Sequence, residues 1–303
     1  MVALSIVAGL MLLGIAFGVF EFDGLLDNLL SEGASDEDEP DTIEGSSGDD
    51  ILLATDDDDD IDADSGDDTI DAQDGEDRIL AGAGNDEVDG GQGNDTILGE
   101  DGDDTIFGDG GLDVVLAGDG ADEIDGGSGA DTILAQDGDD SVLARSGSDF
   151  VVGGAGADTL KGGAGDDVLI GYEDALFDDN FEDSDLYDPD VITGGAGMDA
   201  IIAGSGDTIN GGDGIDALTL GSWIDPNNPV HIEEFEATED VIVVIVPEDY
   251  AGAEVITIDH YPSVTHSGTI FLDGVRIAEV EGGGTLGFLN PLQIRVVEDE
   301  NFA

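Results

Sequence analysis

Residues 90–98 read Gly90-Gly91-Gln92-Gly93-Asn94-Asp95-Thr96-Ile97-Leu98, and this nine-residue unit decides the fold. The same template returns at Gly153 to Lys161 (GGAGADTLK) and at Gly162 to Ile170 (GGAGDDVLI). From Gly45 to Ile170 the chain divides into fourteen such blocks without a gap. A fixed internal period outranks local helix or strand signals, because it makes the fold a stack of like units. Position six is Asp in all fourteen blocks, at every ninth residue from Asp50 and Asp59 to Asp167. Position eight is always aliphatic, from Leu52 and Ile61 to Leu160 and Leu169. Position four is Gly in thirteen, with Asp57 the exception. Compositional drift yields acidic, Gly-rich sequence, but it does not hold three registers through 126 residues.

Six residues rich in Gly, Asn and Asp favour turns with φ > 0. The three that follow carry one central aliphatic side chain, which suits a very short strand. Such a strand cannot bury itself and must stack on the same strand of a neighbouring coil. Turn, strand, turn and strand close a coil of two blocks, with both aliphatic side chains pointing inward. Seven such coils at a strand spacing of about 4.8 Å give a rod of roughly 34 Å. The expected fold is all-β, a parallel β-roll, with a core of one aliphatic residue per repeat that stabilises it poorly by burial alone.

Charge points the same way. The 303 residues hold 76 Asp and Glu against five basic residues, Arg78, Arg145, Lys161, Arg276 and Arg295, for a formal net charge of −71. A compact state so charged repels itself unless something neutralises it. No basic patch exists to meet phosphate, so nucleic acid is excluded as a partner, and anionic membrane surfaces with it. Acidic chains are often disordered, but here Ile, Leu and Val are interleaved with the acids and the 49 glycines recur at fixed spacing. Cysteine is absent, which removes disulfides, thiolate metal sites and a thiol nucleophile. A thin core without disulfides needs another staple, and metal is the usual one.

The repeated pattern GGxGxDxUx, with U aliphatic, resembles the nonapeptide of RTX (hemolysin-type) calcium-binding repeats, from Asp41 to about Thr219. The resemblance implies a calcium-stapled solenoid. Each position-six Asp would bind Ca²⁺ together with the Asp two repeats along, on the same edge, with turn carbonyls completing the shell. The ligands so implied are Asp50, Asp68, Asp77, Asp86, Asp95, Asp104, Asp113, Asp122, Asp131, Asp140, Asp149, Asp158, Asp167, Asp190, Asp199, Asp207 and Asp216. They would hold roughly a dozen ions. The family also implies type I secretion, an uncleaved C-terminal export signal, and an extracellular or cell-surface location.

Some turns depart from the pattern. Asp57 stands where the turn wants Gly, so Asp59 is left out of the ligand set. Ala63, Ala72, Ala81, Ala135 and Ala144 replace Gly at position one, where slight strain is expected unless the backbone there is already α or β. Arg145, at position two of its turn, is placed to cover a carboxylate or, as the favoured reading, to be solvated. Beyond Ile170 the next unit opens at Gly171 and closes at Asp190-Val191-Ile192-Thr193. It holds an insertion at about 174–189, read as a surface loop that tucks Leu176, Phe177, Phe181, Leu186 and Tyr187 onto the roll, or else as a docking loop. Three more repeats follow, 194–202, 203–210 (one residue short) and 211–219.

The ends divide into segments 1–20, 21–40 and 220–303, flanking the roll at 41–219. Val2 to Phe20 is almost wholly apolar and fits a membrane span, a signal peptide or a helix packed on the first coil. Residues 21–40 read as an acidic linker. Periodicity ends at Leu220, and 220–303 reads as a β-rich cap with a hairpin around Asp273-Gly274.

No enzyme is expected. His231, His260 and His266 are the only histidines, and none lies in H-E-x-x-H. No G-x-S-x-G elbow or P-loop lysine occurs. The reading is an exported, monomeric, non-enzymatic calcium-binding protein with a structural or adhesive role and a cell-surface or extracellular partner. The alternative is an RTX-type secreted hydrolase with its active site in 220–303.

Overall fold

The computed structural model describes residues 41–172, 188–221, 224–236, 239–247, 256–260, 267–281 and 294–299. The apolar N-terminal stretch, the linker, most of the insertion, His266 and parts of the C-terminal segment expected to carry an export signal lie outside the described residues. Among those described there are twenty-five strands and no helix.

Numbered in chain order from β1 (Asp41–Ser46) and β2 (Ile51–Leu53), the strands alternate between two sheets. The twelve-stranded sheet takes the odd-numbered strands in order as far as β21 (Val241–Pro247), then β25 (Ile294–Asp299). The thirteen-stranded sheet takes the even-numbered strands to β20 (Val230–Glu233), then β24 (Val275–Glu281), β23 (Ser267–Leu272) and β22 (Ile256–His260). Pairing along the roll is parallel and joins equivalent positions of successive coils. Ile61 lies opposite Ile79, and Ile79 opposite Ile97. Leu160 lies opposite Ile192, so the insertion is looped out without loss of register. This is the parallel β-roll that the period of nine requires.

Position-eight side chains fill the interior: Ile61, Ile79, Ile97, Val115 and Ile133 are fully buried. Position one adds a second inward layer, because Ala63, Ala72, Ala81, Ala117, Ala135 and Ala144 are equally buried. The core is therefore thicker than one aliphatic residue per repeat. Several strands are also longer than three residues. β5 (Arg78–Ala83), for example, runs on through the first positions of the next turn.

At the Ala turns the second of the two alternatives holds, and the left-handed residues lie one position later. Position one is not left-handed; position two is, at Asp64 (φ 73°), Gln73 (77°), Glu100 (76°), Asp109 (61°), Gln136 (81°) and Arg145 (74°). Position one still belongs to the inward face of the strand, so the chain reverses one residue later. At position four the demand is for closeness as well: a Cβ on Gly93 would overlap the carbonyl oxygen of Gly75 in the preceding coil.

Stacking continues where the nonapeptide spacing stops. β20 pairs in parallel with β18 (Thr208–Gly214), and β21 with β19 (Ala217–Gly221). The expected hairpin is present as antiparallel β23 and β24, turning through Asp273 (φ 50°) and Gly274 (φ 83°). Phe235, 1 % exposed, packs into the core ahead of it.

Candidate metal centre

Each position-six Asp sits where a turn enters a strand, with its side chain folded under the turn. Asp68 through Asp167 are only 1–2 % exposed, as are Asp190, Asp199 and Asp216, and Asp207 is fully buried. The backbone amide of each donates to Oδ1 of the equivalent Asp one coil on: Asp86 to Asp104 at 2.8 Å, Asp104 to Asp122 at 2.7 Å, Asp95 to Asp113 at 2.9 Å. The rungs continue across the insertion, from Asp158 to Asp190 and from Asp167 to Asp199, both at 2.9 Å.

Two carboxylate ladders result, one along each edge. The first runs Asp50, Asp68, Asp86, Asp104, Asp122, Asp140, Asp158, Asp190 and Asp207. The second runs Asp59, Asp77, Asp95, Asp113, Asp131, Asp149, Asp167, Asp199 and Asp216. Every sequence-assigned aspartate is on a ladder beside its same-edge neighbour.

The other oxygen defines the chemistry. Among the described residues, Oδ2 is buried without a hydrogen-bond donor in fourteen aspartates: Asp68, Asp77, Asp86, Asp95, Asp104, Asp113, Asp122, Asp131, Asp140, Asp149, Asp158, Asp167, Asp199 and Asp216. A buried carboxylate oxygen with no partner is costly. The cost appears as raised pKa values. Burial, reinforced by neighbouring carboxylates and only partly offset by the amide on Oδ1, pushes Asp95, Asp104, Asp140, Asp158 and Asp199 up to about 7. Burial likewise takes Asp77, Asp113, Asp131, Asp149 and Asp167 to about 6.

Where position one is Gly, these oxygens lie close to a backbone carbonyl of the next coil. A Cβ built on Gly108 would lie 2.9 Å from Asp113 Oδ2 and 2.7 Å from the carbonyl oxygen of Gly126 in the next coil. At Gly126 the corresponding distances are 3.0 Å to Asp131 Oδ2 and 3.1 Å to the Ala144 carbonyl. Among the described residues no three acidic or histidine side chains converge on one point. A cation here would therefore rest on ladder carboxylates plus backbone carbonyls. Hard oxygen donors in flexible turns, with no thiolate and no imidazole, fit Ca²⁺.

Some residues stand apart. Asp50 Oδ2 accepts from Ser46 N and Oγ, both at 2.7 Å. Asp207 Oδ2 accepts from Gly204 N at 2.6 Å. Asp59, left out of the ligand set, is buried on the second ladder with Oδ2 bonded to Thr55 N at 2.8 Å and Thr55 Oγ1 at 2.9 Å. Asp240 was missed: the Asp216 amide points to its Oδ1 at 3.4 Å, which extends the second ladder one rung. Its signal is the triplet Asp240-Val241-Ile242, the same Asp-x-aliphatic that ends each repeat. Arg145 covers a carboxylate, in a two-pronged ion pair with Asp125, while its side chain stays 54 % exposed.

A solenoid with buried carboxylate ladders under its glycine turns is a cation-binding repeat roll. A family model described as the RTX calcium-binding nonapeptide repeat (4 copies) matches this chain in overlapping windows that together span residues 37–175 and 187–209. These cover more than half of the sequence, and the chain belongs to that family. Its repeats imply Ca²⁺ binding. No curated protein matches the chain.

Proposed function

We propose that this chain is an exported, non-enzymatic calcium-binding protein, folded by many Ca²⁺ ions and serving a structural or adhesive role outside the cell or at its surface. The observation that carries this reading is the row of buried Oδ2 atoms without donors, repeated along both edges. The fourteen ladder aspartates whose Oδ2 has no donor are the proposed ligands. Their Oδ1 atoms are held by the amides of the preceding coil, which fixes each carboxylate plane and leaves Oδ2 turned to the inter-turn space. The carbonyls of the turns supply further hard donors. Bound Ca²⁺ would supply positive charge that neutralises two carboxylates at a time and joins one coil to the next.

The cell-surface assignment is supported by the net charge, the lack of cysteine, and the calcium levels that such sites need. The test is circular dichroism of the whole chain against free Ca²⁺. The β signal should appear cooperatively as calcium is added and vanish with chelator. A full β spectrum in excess chelator would defeat the folding role, and equilibrium dialysis showing only one or two bound ions would defeat the ladder assignment.

A further inference from the structure

The turns of the roll come in two conformations, and position two separates them. In fourteen turns position two is left-handed. It is occupied there by Asp64, Gln73, Glu100, Asp109, Gln136 and Arg145, and elsewhere by glycines from Gly82 to Gly212, with φ between 61° and 125°. These are the same fourteen turns whose aspartate Oδ2 has no donor. The correspondence is one to one.

Apart from the turn of Asp190, most of which lies outside the described residues, four other turns have a position two outside the left-handed region: those at Ser46, Thr55, Gly204 and Glu236. In each, the amide at that position donates to the Oδ2 of its own turn's aspartate. Ser46 serves Asp50, Thr55 serves Asp59, Gly204 serves Asp207, and Glu236 serves Asp240, at 2.6–2.8 Å. At the first two turns the hydroxyl doubles the amide bond. These aspartates are the first and last rungs found on the two ladders among the described residues. On the first edge Val230, fully buried, takes the place after Asp207, since the His231 amide bonds to the Asp207 carbonyl.

We infer that position two decides whether a turn takes a cation, and that the four terminal turns are self-capped by their own amides and take none. This rests on the calcium reading above. The physical reason is competition for one oxygen. An amide already on Oδ2 satisfies it, fills the space over position one, and orients a partial positive charge where the ion would sit. Rotating position two into the left-handed region turns that amide away and leaves the oxygen to an ion. The metal-dependent interior of the roll is thus closed at both ends by protein hydrogen bonds. The short repeat at 203–210 is the clearest device: with one residue removed, Gly204 reaches Asp207 from only three residues away.

Equilibrium dialysis with Ca²⁺ on the full chain tests this. Asp50→Asn, Asp207→Asn and Asp240→Asn should each bind as many ions as the parent, since Asn keeps an acceptor for the capping amide. Asp104→Asn should lose at least one ion. As a check that needs no substitution, hydrogen exchange on the calcium-loaded parent should show the amides of Ser46, Thr55, Gly204 and Glu236 protected. If Asp207→Asn and Asp240→Asn lose as many ions as Asp104→Asn, or if those amides exchange freely, self-capping is wrong while calcium binding stands. A parent that binds no calcium overturns the calcium reading itself.

Discussion

At the scale of single residues, the tightest constraint is the stacking of position-four glycines. A Cβ on Gly84 would overlap the carbonyl oxygen of Gly66, and Gly84 has φ +146°, where an L side chain is strained. Gly48 holds the same repeat position in the first turn, yet a Cβ there meets nothing within 4 Å. Gly84→Ala should therefore destabilise the calcium-loaded roll by about 2–3 kcal/mol or more, while Gly48→Ala should stay within roughly 0.5 kcal/mol. Urea unfolding at fixed calcium measures both, and equal effects would mean that the coils are not in this register. The ladder aspartates make a second residue-scale prediction. Their pKa values are raised by burial to about 6 or 7 from an ordinary value near 4, so the metal-free folded chain holds more protons than the unfolded one. That contribution favours folding below about pH 4 and is lost as pH rises through 6 to 7. In chelator, the β signal should be larger at pH 4.5 than at pH 7.5; a signal that grows with pH would contradict the buried ladders.

At the scale of elements, the junction between roll and hairpin rests on Phe235, whose amide also donates to the Glu281 carbonyl at 3.1 Å. Phe235→Ala should leave a cavity costing about 3–5 kcal/mol, read as a rise in the calcium concentration needed for half-folding. An unchanged midpoint would mean that the cap folds independently of the coils. The elements also show what sequence can and cannot reveal. The strands from β2 to β15 (Val168–Tyr172) were legible because one spacing repeats, and each Asp-x-aliphatic triplet lands beside its copy. Asp240 escaped because twenty-four residues, not eighteen, separate it from Asp216, so constant spacing gives no hint of the next rung. The two turn conformations escaped for a different reason. Gly, Asp, Gln, Glu and Arg all occupy left-handed position two, so a shared backbone angle is hidden under unlike side chains. Propensity alone would not have placed Arg145 there.

At the scale of the whole molecule, charge governs. A net charge of −71 on a narrow core should make the metal-free chain unstable at neutral pH. If free Ca²⁺ exceeds the dissociation constant about tenfold, linkage gives about 1.4 kcal/mol per site, and about a dozen sites supply on the order of 15 kcal/mol. That matches the whole stability of an ordinary domain. Magnesium demands a smaller octahedral shell and sheds water reluctantly, so millimolar Mg²⁺ should restore little of the β spectrum. Equal refolding by the two ions would show that bulk charge screening, not fitted sites, folds the roll.

The rungs between coils also give the molecule a direction. Every ladder amide reaches toward the carboxylate of the coil that follows it in sequence, never the one before. Each rung is therefore complete only once the succeeding coil exists. By its ladder bonds alone, a chain threaded N-terminus first must lag one coil behind its own leading end, and one threaded the other way need not. For the ladders, shortening the protein is likewise unequal at its two ends: a cut at the start removes a rung together with the amide that used it, whereas a cut at the finish strands the last ladder amides.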